Sequence, residues 1–148
     1  KAFGMRVLAT AWRGDDGRAA SIGARYLDLD SLLRESDFVS IHLRLSDDTR
    51  GLLSCDQMAL MRPSSFLVNT ARGALVDRDA LLDALENKRI AGAGLDVFHE
   101  EPVRADDRLL TLSNVVLTPH NAGTTEEVIA LGLARTVENV ERFLAHPS

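Results

Sequence analysis

With 148 residues, 45% of them hydrophobic and 26% charged, the chain has enough apolar material for one globular domain with a sizeable core, and it shows no low-complexity tract. A formal net charge of −5 argues against a nucleic-acid or anionic-membrane partner, since both reward a basic face. A single cysteine, Cys55, excludes an internal disulfide, and neither a membrane-length apolar run nor a signal peptide is evident, so the chain reads as soluble and cytoplasmic with Cys55 a structural thiol.

Residues 1–4 read as the last turn of a helix with Gly4 just past its end, and the strand-like run 5–9 follows at once. Residues 12–20 form a polar, glycine-containing loop, and 24–29 allow another short strand. Asp30 or Ser31 caps a brief helix through Leu32, Leu33 and Glu35, and residues 38–43 make a third strand. Residues 54–61 have helical spacing in Met58, Leu60 and Met61, closed by Pro63, and lead into the apolar strand 66–68. Asp77 caps a helix over 77–88 with Ala80, Leu81, Ala84 and Leu85 in apolar register. The small residues of 90–97 suit a strand that something approaches closely, and 115–117 is the final strand. A closing helix from about 124 to 144 carries Ile129, Leu133, Val137, Val140 and Leu144 on one face. This alternation predicts an α/β fold with a parallel sheet and right-handed crossovers, with neither an internal repeat nor a linker.

In such sheets ligands bind at the carboxyl ends of the strands. Arg72 follows the strand at 66–68, the run Phe98-His99-Glu100-Glu101-Pro102 follows the one at 90–97, and Thr118-Pro119-His120-Asn121-Ala122-Gly123 follows the last. A guanidinium is a fixed cation whose planar fork suits a carboxylate, and a carboxylate beside an imidazole favours the protonated ring. Alone, Arg72 reads equally as a solvated loop arginine, and His42, His99 and His146 read as loop histidines bonded to backbone. Three loops that supply complementary groups at one rim favour a site, with His120 as acid and Glu101 orienting it. Spacing does not say which reaction they serve.

From residue 2 to about 145 the sequence resembles the nucleotide-binding domain of the D-isomer-specific 2-hydroxyacid dehydrogenases, which include phosphoglycerate, glyoxylate and hydroxypyruvate reductases. The matching motifs are VNTARGALVD at 68–77, LDVFHEEP at 95–102 and LTPHNAG at 117–123, supported by SIHL at 40–43 and AFGMRVLA at 2–9. The resemblance implies a Rossmann-type doubly wound parallel sheet and hydride transfer between NAD(P)H and a small 2-keto or 2-hydroxy acid. It makes Arg72 the cation that holds the substrate carboxylate and polarises its keto oxygen, His120 the acid, and Glu101 the partner of His120. It also assigns Asp96 to the nicotinamide carboxamide, places Leu43, Thr70 and Ala71 along the cofactor, adds Asn121, Ala122 and Gly123 to the cofactor-binding set, and implies a homodimer.

The sequence departs from the family in three places. Family members that use NAD usually end the strand equivalent to 5–9 with an aspartate for the ribose hydroxyls; here Ala11 is followed by Trp12 and Arg13. Losing that carboxylate removes repulsion toward a 2′-phosphate, which Arg13 can pair, so NADP is expected ahead of NAD, with Trp12 stacking near the adenine. Arg44 replaces the proline of the family's HxPL segment and either meets a phosphate or points into water. No GxGxxG occurs at all. Residues 1–148 are therefore expected to form an incomplete dinucleotide-binding domain without the first strand, the glycine loop or the substrate domain, with a central gap in the sheet, poor solubility and no turnover alone. Two other readings stand beside the enzyme: a dinucleotide-sensing, corepressor-like module and an inactive fragment. A formate-dehydrogenase-like enzyme is disfavoured because those relatives pair the histidine with glutamine, and here Glu101 occupies that position.

Overall fold

The computed structural model describes residues 2–11, 14 and 17–145. A short parallel pair, β1 (Leu8–Ala9) and β2 (Arg25–Tyr26), brackets α1 (Arg18–Ser21). α2 (Leu29–Glu35) then leads into β3 (Phe38–Ile41), α3 (Cys55–Leu60), β4 (Phe66–Asn69), α4 (Arg78–Glu86), β5 (Gly92–Leu95), β6 (Val115–Leu117) and α5 (Glu126–Ala145). The last four strands form one parallel sheet in the order β3-β4-β5-β6, as strand–helix alternation requires.

Register explains the core. Val39 pairs with Leu67 and Leu67 with Ala93, while Ile41 pairs with Asn69 and Asn69 with Leu95, so one face of the sheet is apolar across its width apart from Asn69. That face is buried with Leu33 of α2, Met58 of α3 and Leu81, Leu82 and Leu85 of α4. α4 buries five of its nine residues, and the Asp77 side chain starts it by accepting from the Ala80 amide at 2.8 Å. On the opposite face Phe38 and Phe66 stack with centroids 5.4 Å apart, and both are exposed, as is Val116.

Several sequence expectations need correction. A strand over 5–9 shrinks to β1, because β2 is its one pairing partner among the described residues and fixes a ladder two residues long. Part of the segment read as a loop winds into α1, and α2 is capped by Asp28, which accepts from the Ser31 amide at 2.9 Å, rather than by Asp30 or Ser31. Residues 2–3 make a turn, not a described helix, although Gly4 does take the left-handed φ of +72°. The close approach along 90–97 occurs at Gly92, where an added Cβ would meet the Asn114 carbonyl oxygen at 2.4 Å; Gly94 has ordinary space. Cys55 is exposed at the start of α3, so it packs in no core. α5 is helical as its stripe predicts, yet none of its residues is buried. Trp12 and His146 lie outside the described residues.

β1 and β3 belong to separate sheets, and a groove of about 640 Å³ lies between them, lined by residues including Met5, Val7, Leu32, Phe38 and Val39. No described helix is long and apolar enough to cross a membrane. The carboxyl ends of β4, β5 and β6 lie side by side, which brings their three following loops onto one rim.

Candidate active site

β4 ends on Asn69, which is 1% exposed. Its Oδ1 accepts from the Ala71 amide at 3.0 Å and its Nδ2 donates to the Arg72 carbonyl at 2.9 Å, so residues 70–72 fold around one buried amide. Arg72 comes just before the 3-10 turn Gly73–Leu75 and is exposed, with Nη1 donating to the Ala71 carbonyl at 2.6 Å. Gly73 cannot be larger: a Cβ there would lie 2.2 Å from the Phe98 carbonyl carbon and oxygen. The glycine lets the loop after β4 press directly against the loop after β5.

Immediately beyond β5, Asp96 is 4% exposed and engaged on both oxygens. Oδ1 accepts from the Thr118 hydroxyl at 2.5 Å and the Asn121 amide at 2.9 Å, while Oδ2 accepts from the Ala122 amide at 3.0 Å. The Thr118 hydroxyl, together with those two amides and the nearby His120, holds the Asp96 carboxyl below its ordinary range despite burial. The third loop is thereby bent back over the end of β5, with His120 at a φ of +52°, uncommon outside glycine.

Glu101 precedes a cis proline bond to Pro102. Its Oε1 accepts from the Phe98 amide at 2.9 Å and its Oε2 meets His120 Nδ1 at 2.7 Å. The His120 hydrogen bond, the Phe98 amide and the charge of Arg72 together hold the Glu101 carboxyl below its usual range. An ionised carboxylate only accepts, so Nδ1 carries the proton and Nε2 is the ring nitrogen left to work. The pair is half-exposed, at 46% for His120 and 38% for Glu101, and so opens onto the rim.

The structure thus brings Glu101, His120, Asp96, Asn121 and Ala122 into one network and puts the charge of Arg72 within influence of Glu101. Asn69 and Thr118 are structural members that sequence reasoning missed. A polar residue closing an apolar strand was the available signal for Asn69; spacing offered none for Thr118. His99 bonds to the Val76 carbonyl at 2.7 Å, as a backbone-bonded loop histidine should, whereas His42 pairs with the Ser40 hydroxyl at 2.8 Å instead. Thr70 is exposed and Ala71 and Leu43 are half-buried. Gly123 is exposed, and a Cβ there would meet nothing within 4 Å. Arg44 is exposed, and Arg13 lies outside the described residues.

A second, apolar cavity of about 330 Å³ lies at the carboxyl ends of β1 and β3, lined by residues including Ala9, Ala11, Leu29, Ile41 and Leu43. Its size and lining suit a planar base, and Asp96 Oδ2 keeps one acceptor position. No glycine-rich run of amide donors for a pyrophosphate occurs among the described residues.

An open parallel sheet with a cation and a carboxylate–imidazole pair gathered on its carboxyl rim is an α/β ligand-binding domain. Residues 1–122 match the NAD binding domain of the D-isomer specific 2-hydroxyacid dehydrogenases, and the chain belongs to that family. It is 45% identical over 144 residues to glyoxylate/hydroxypyruvate reductase B of Enterobacter agglomerans, covering 97% of this chain and 44% of that protein. It is 43% identical to the glyoxylate reductase of Korarchaeum cryptofilum, covering 97% and 43%. Among solved structures it resembles an acyclic imino acid reductase in complex with NADPH and D-Arg, with a TM-score of 0.87 at 34% identity over 97% of this chain and 45% of that one. A D-lactate dehydrogenase from Sporolactobacillus gives a TM-score of 0.89 at 31% identity over 99% and 48%. The chain spans a little under half the length of these relatives.

Proposed function

We propose that this domain serves an oxidoreductase that reduces a small 2-keto acid, with Arg72 binding the carboxylate and keto oxygen and the Glu101–His120 pair supplying the proton. The observation that carries the reading is the 2.7 Å contact between Glu101 and His120 Nδ1, which keeps Nδ1–H on the carboxylate and leaves Nε2 to deliver the second proton of the doubly protonated ring. A nicotinamide cofactor supplies the hydride when bound. As hydride reaches the keto carbon, charge grows on its oxygen, where the Arg72 guanidinium stabilises it and His120 Nε2 protonates it. Leu43, Thr70, Ala71, Asp96, Asn121, Ala122 and Gly123 border the cofactor. NADPH is preferred over NADH, since Ala11 offers no carboxylate to repel a 2′-phosphate and Arg13 follows close behind.

The intact protein that carries this chain tests the reading through NADPH and NADH absorbance with glyoxylate, hydroxypyruvate and pyruvate. We expect ketoacid-dependent oxidation, faster with NADPH, and a fall in kcat of about 100-fold in His120→Ala. No oxidation with any pair would point to a cofactor-binding module instead. Equal or tighter NADH binding would overturn the cofactor preference alone.

A further inference from the structure

We infer that Thr118 and Asp96 form a clamp that sets the position of His120, with Thr118 a positioning residue of the site; the inference rests on the functional reading above. His120 itself is held by Glu101 at Nδ1, at 2.7 Å, and by its amide, which donates to the Thr118 carbonyl at 3.0 Å. It is exposed, has a φ of +52°, and is followed by residues that are all exposed through 145, the last described residue. What fixes the loop is one buried carboxylate that receives three donors drawn from both flanks of the histidine. Thr118 donates its hydroxyl from two residues before, and Asn121 and Ala122 donate amides from one and two residues after. The Thr118 amide also donates to the Leu95 carbonyl at 3.0 Å, which places the clamp at the end of β5.

The geometry assigns the hydroxyl a specific task. Oδ1 accepts from both Thr118 and Asn121, so the hydroxyl directs that oxygen toward the amide beyond His120. Removing the hydroxyl frees the carboxylate to rotate, loosens the Asn121 and Ala122 amides, and lets His120 leave the line on which Nδ1 meets Glu101. Arg72, Glu101 and Asp96 are the charged groups that act on this network, and none of them changes in a Thr118 variant. A displacement of the acid by about 1 Å typically costs on the order of 100-fold in rate, so a loosened clamp is expected to lower kcat by about 30-fold.

The test compares Thr118→Val, Thr118→Ala and Thr118→Ser in the intact protein. Thr118 is exposed, so the substitutions leave the core untouched. Val and Ala are expected to reduce kcat by about 30-fold with KM changed less than about threefold. They should also shift the Asn121 and Ala122 amide resonances and the His120 ring-nitrogen resonances, while Ser, which restores the hydroxyl, returns all readouts to wild type. Unchanged resonances in Val and Ala would overturn the clamp whatever the rates do. A rise in KM matching the fall in kcat, with resonances unchanged, would make Thr118 a substrate contact and also overturn it. Absence of any ketoacid turnover in the wild type would remove the functional reading, while the resonance comparison would still decide whether the clamp exists.

Discussion

The two loops that carry the chemistry are fastened by opposite means. Asn69, at the end of β4, holds the Arg72 loop with a neutral amide that both accepts and donates. Asp96, just past the end of β5, holds the His120 loop with an anion that accepts three times. The anchors are neighbours, since the Asp96 amide donates to the Asn69 carbonyl at 3.0 Å, and both are buried. The difference teaches that the shape of the cationic loop is independent of pH, whereas the shape of the proton-donating loop depends on a carboxylate staying ionised.

The largest expected effect removes the contrast by damaging both loops. In Gly73→Ala the new methyl would sit 2.2 Å from Phe98 backbone atoms, and neither backbone segment can rotate away as a flexible side chain would. Urea unfolding should show a loss of about 3 kcal/mol, in line with overpacking against a rigid neighbour. A loss below about 1 kcal/mol would mean that the two loops are less tightly joined than their geometry requires. Asn69→Ala comes next and strikes the cationic loop alone. It strips partners from the Ala71 amide and the Arg72 carbonyl, for a loss of about 2 kcal/mol in the same measurement, with KM for the ketoacid rising more than kcat falls.

This pairing of loops also shows where sequence stopped being informative. The strands were legible because a parallel strand that is ordinarily covered on both faces writes continuous apolar runs such as Phe66-Leu67-Val68, although Phe66 is exposed here, and α4 because Asp77 announces its start. Arg72, Glu101 and His120 were legible as loop residues after those strands, and the motifs identified them together. The anchors were harder. Asn69 and Thr118 act through bonds to backbone or to a residue 22 positions away, and no periodicity records such a bond. The stripe on α5 read correctly as a helix with an apolar face, but amphipathic spacing does not say what covers that face, and none of the residues of α5 is buried.

Acid should separate the loops without mutation. The Asp96 carboxyl is held below its ordinary value of 3.8, chiefly by the Thr118 hydroxyl. A depressed folded-state pKa means that its contribution is complete above that ordinary value and is lost as pH falls through the lower folded value. Amide exchange corrected for intrinsic rates should therefore show Asn121 and Ala122 losing protection as pH falls below that ordinary value, by about threefold at about pH 3. Protection at Ala71, held by the Asn69 amide, should change less than about twofold over the same range. Parallel loss at all three amides would show that the loops open together, and the proposed difference in their fastening would be wrong.

Glu101→Gln is the smallest perturbation and sharpens the contrast within the His120 loop itself. Glutamine keeps an acceptor for the Phe98 amide but surrenders the charge that faces His120. The pair is more than one-third exposed, so solvent screens most of its energy and the stability change should stay near about 0.5 kcal/mol. Turnover should respond more strongly, by about tenfold in kcat, because the carboxylate holds Nδ1–H and so keeps Nε2 turned toward the substrate. The Asn121 and Ala122 amide resonances should stay where they are in the wild type, since Asp96 and Thr118 still hold them. If those resonances move as they do in Thr118→Val, then Glu101 rather than Asp96 is the anchor of the loop, and the division of labour between the two carboxylates is reversed.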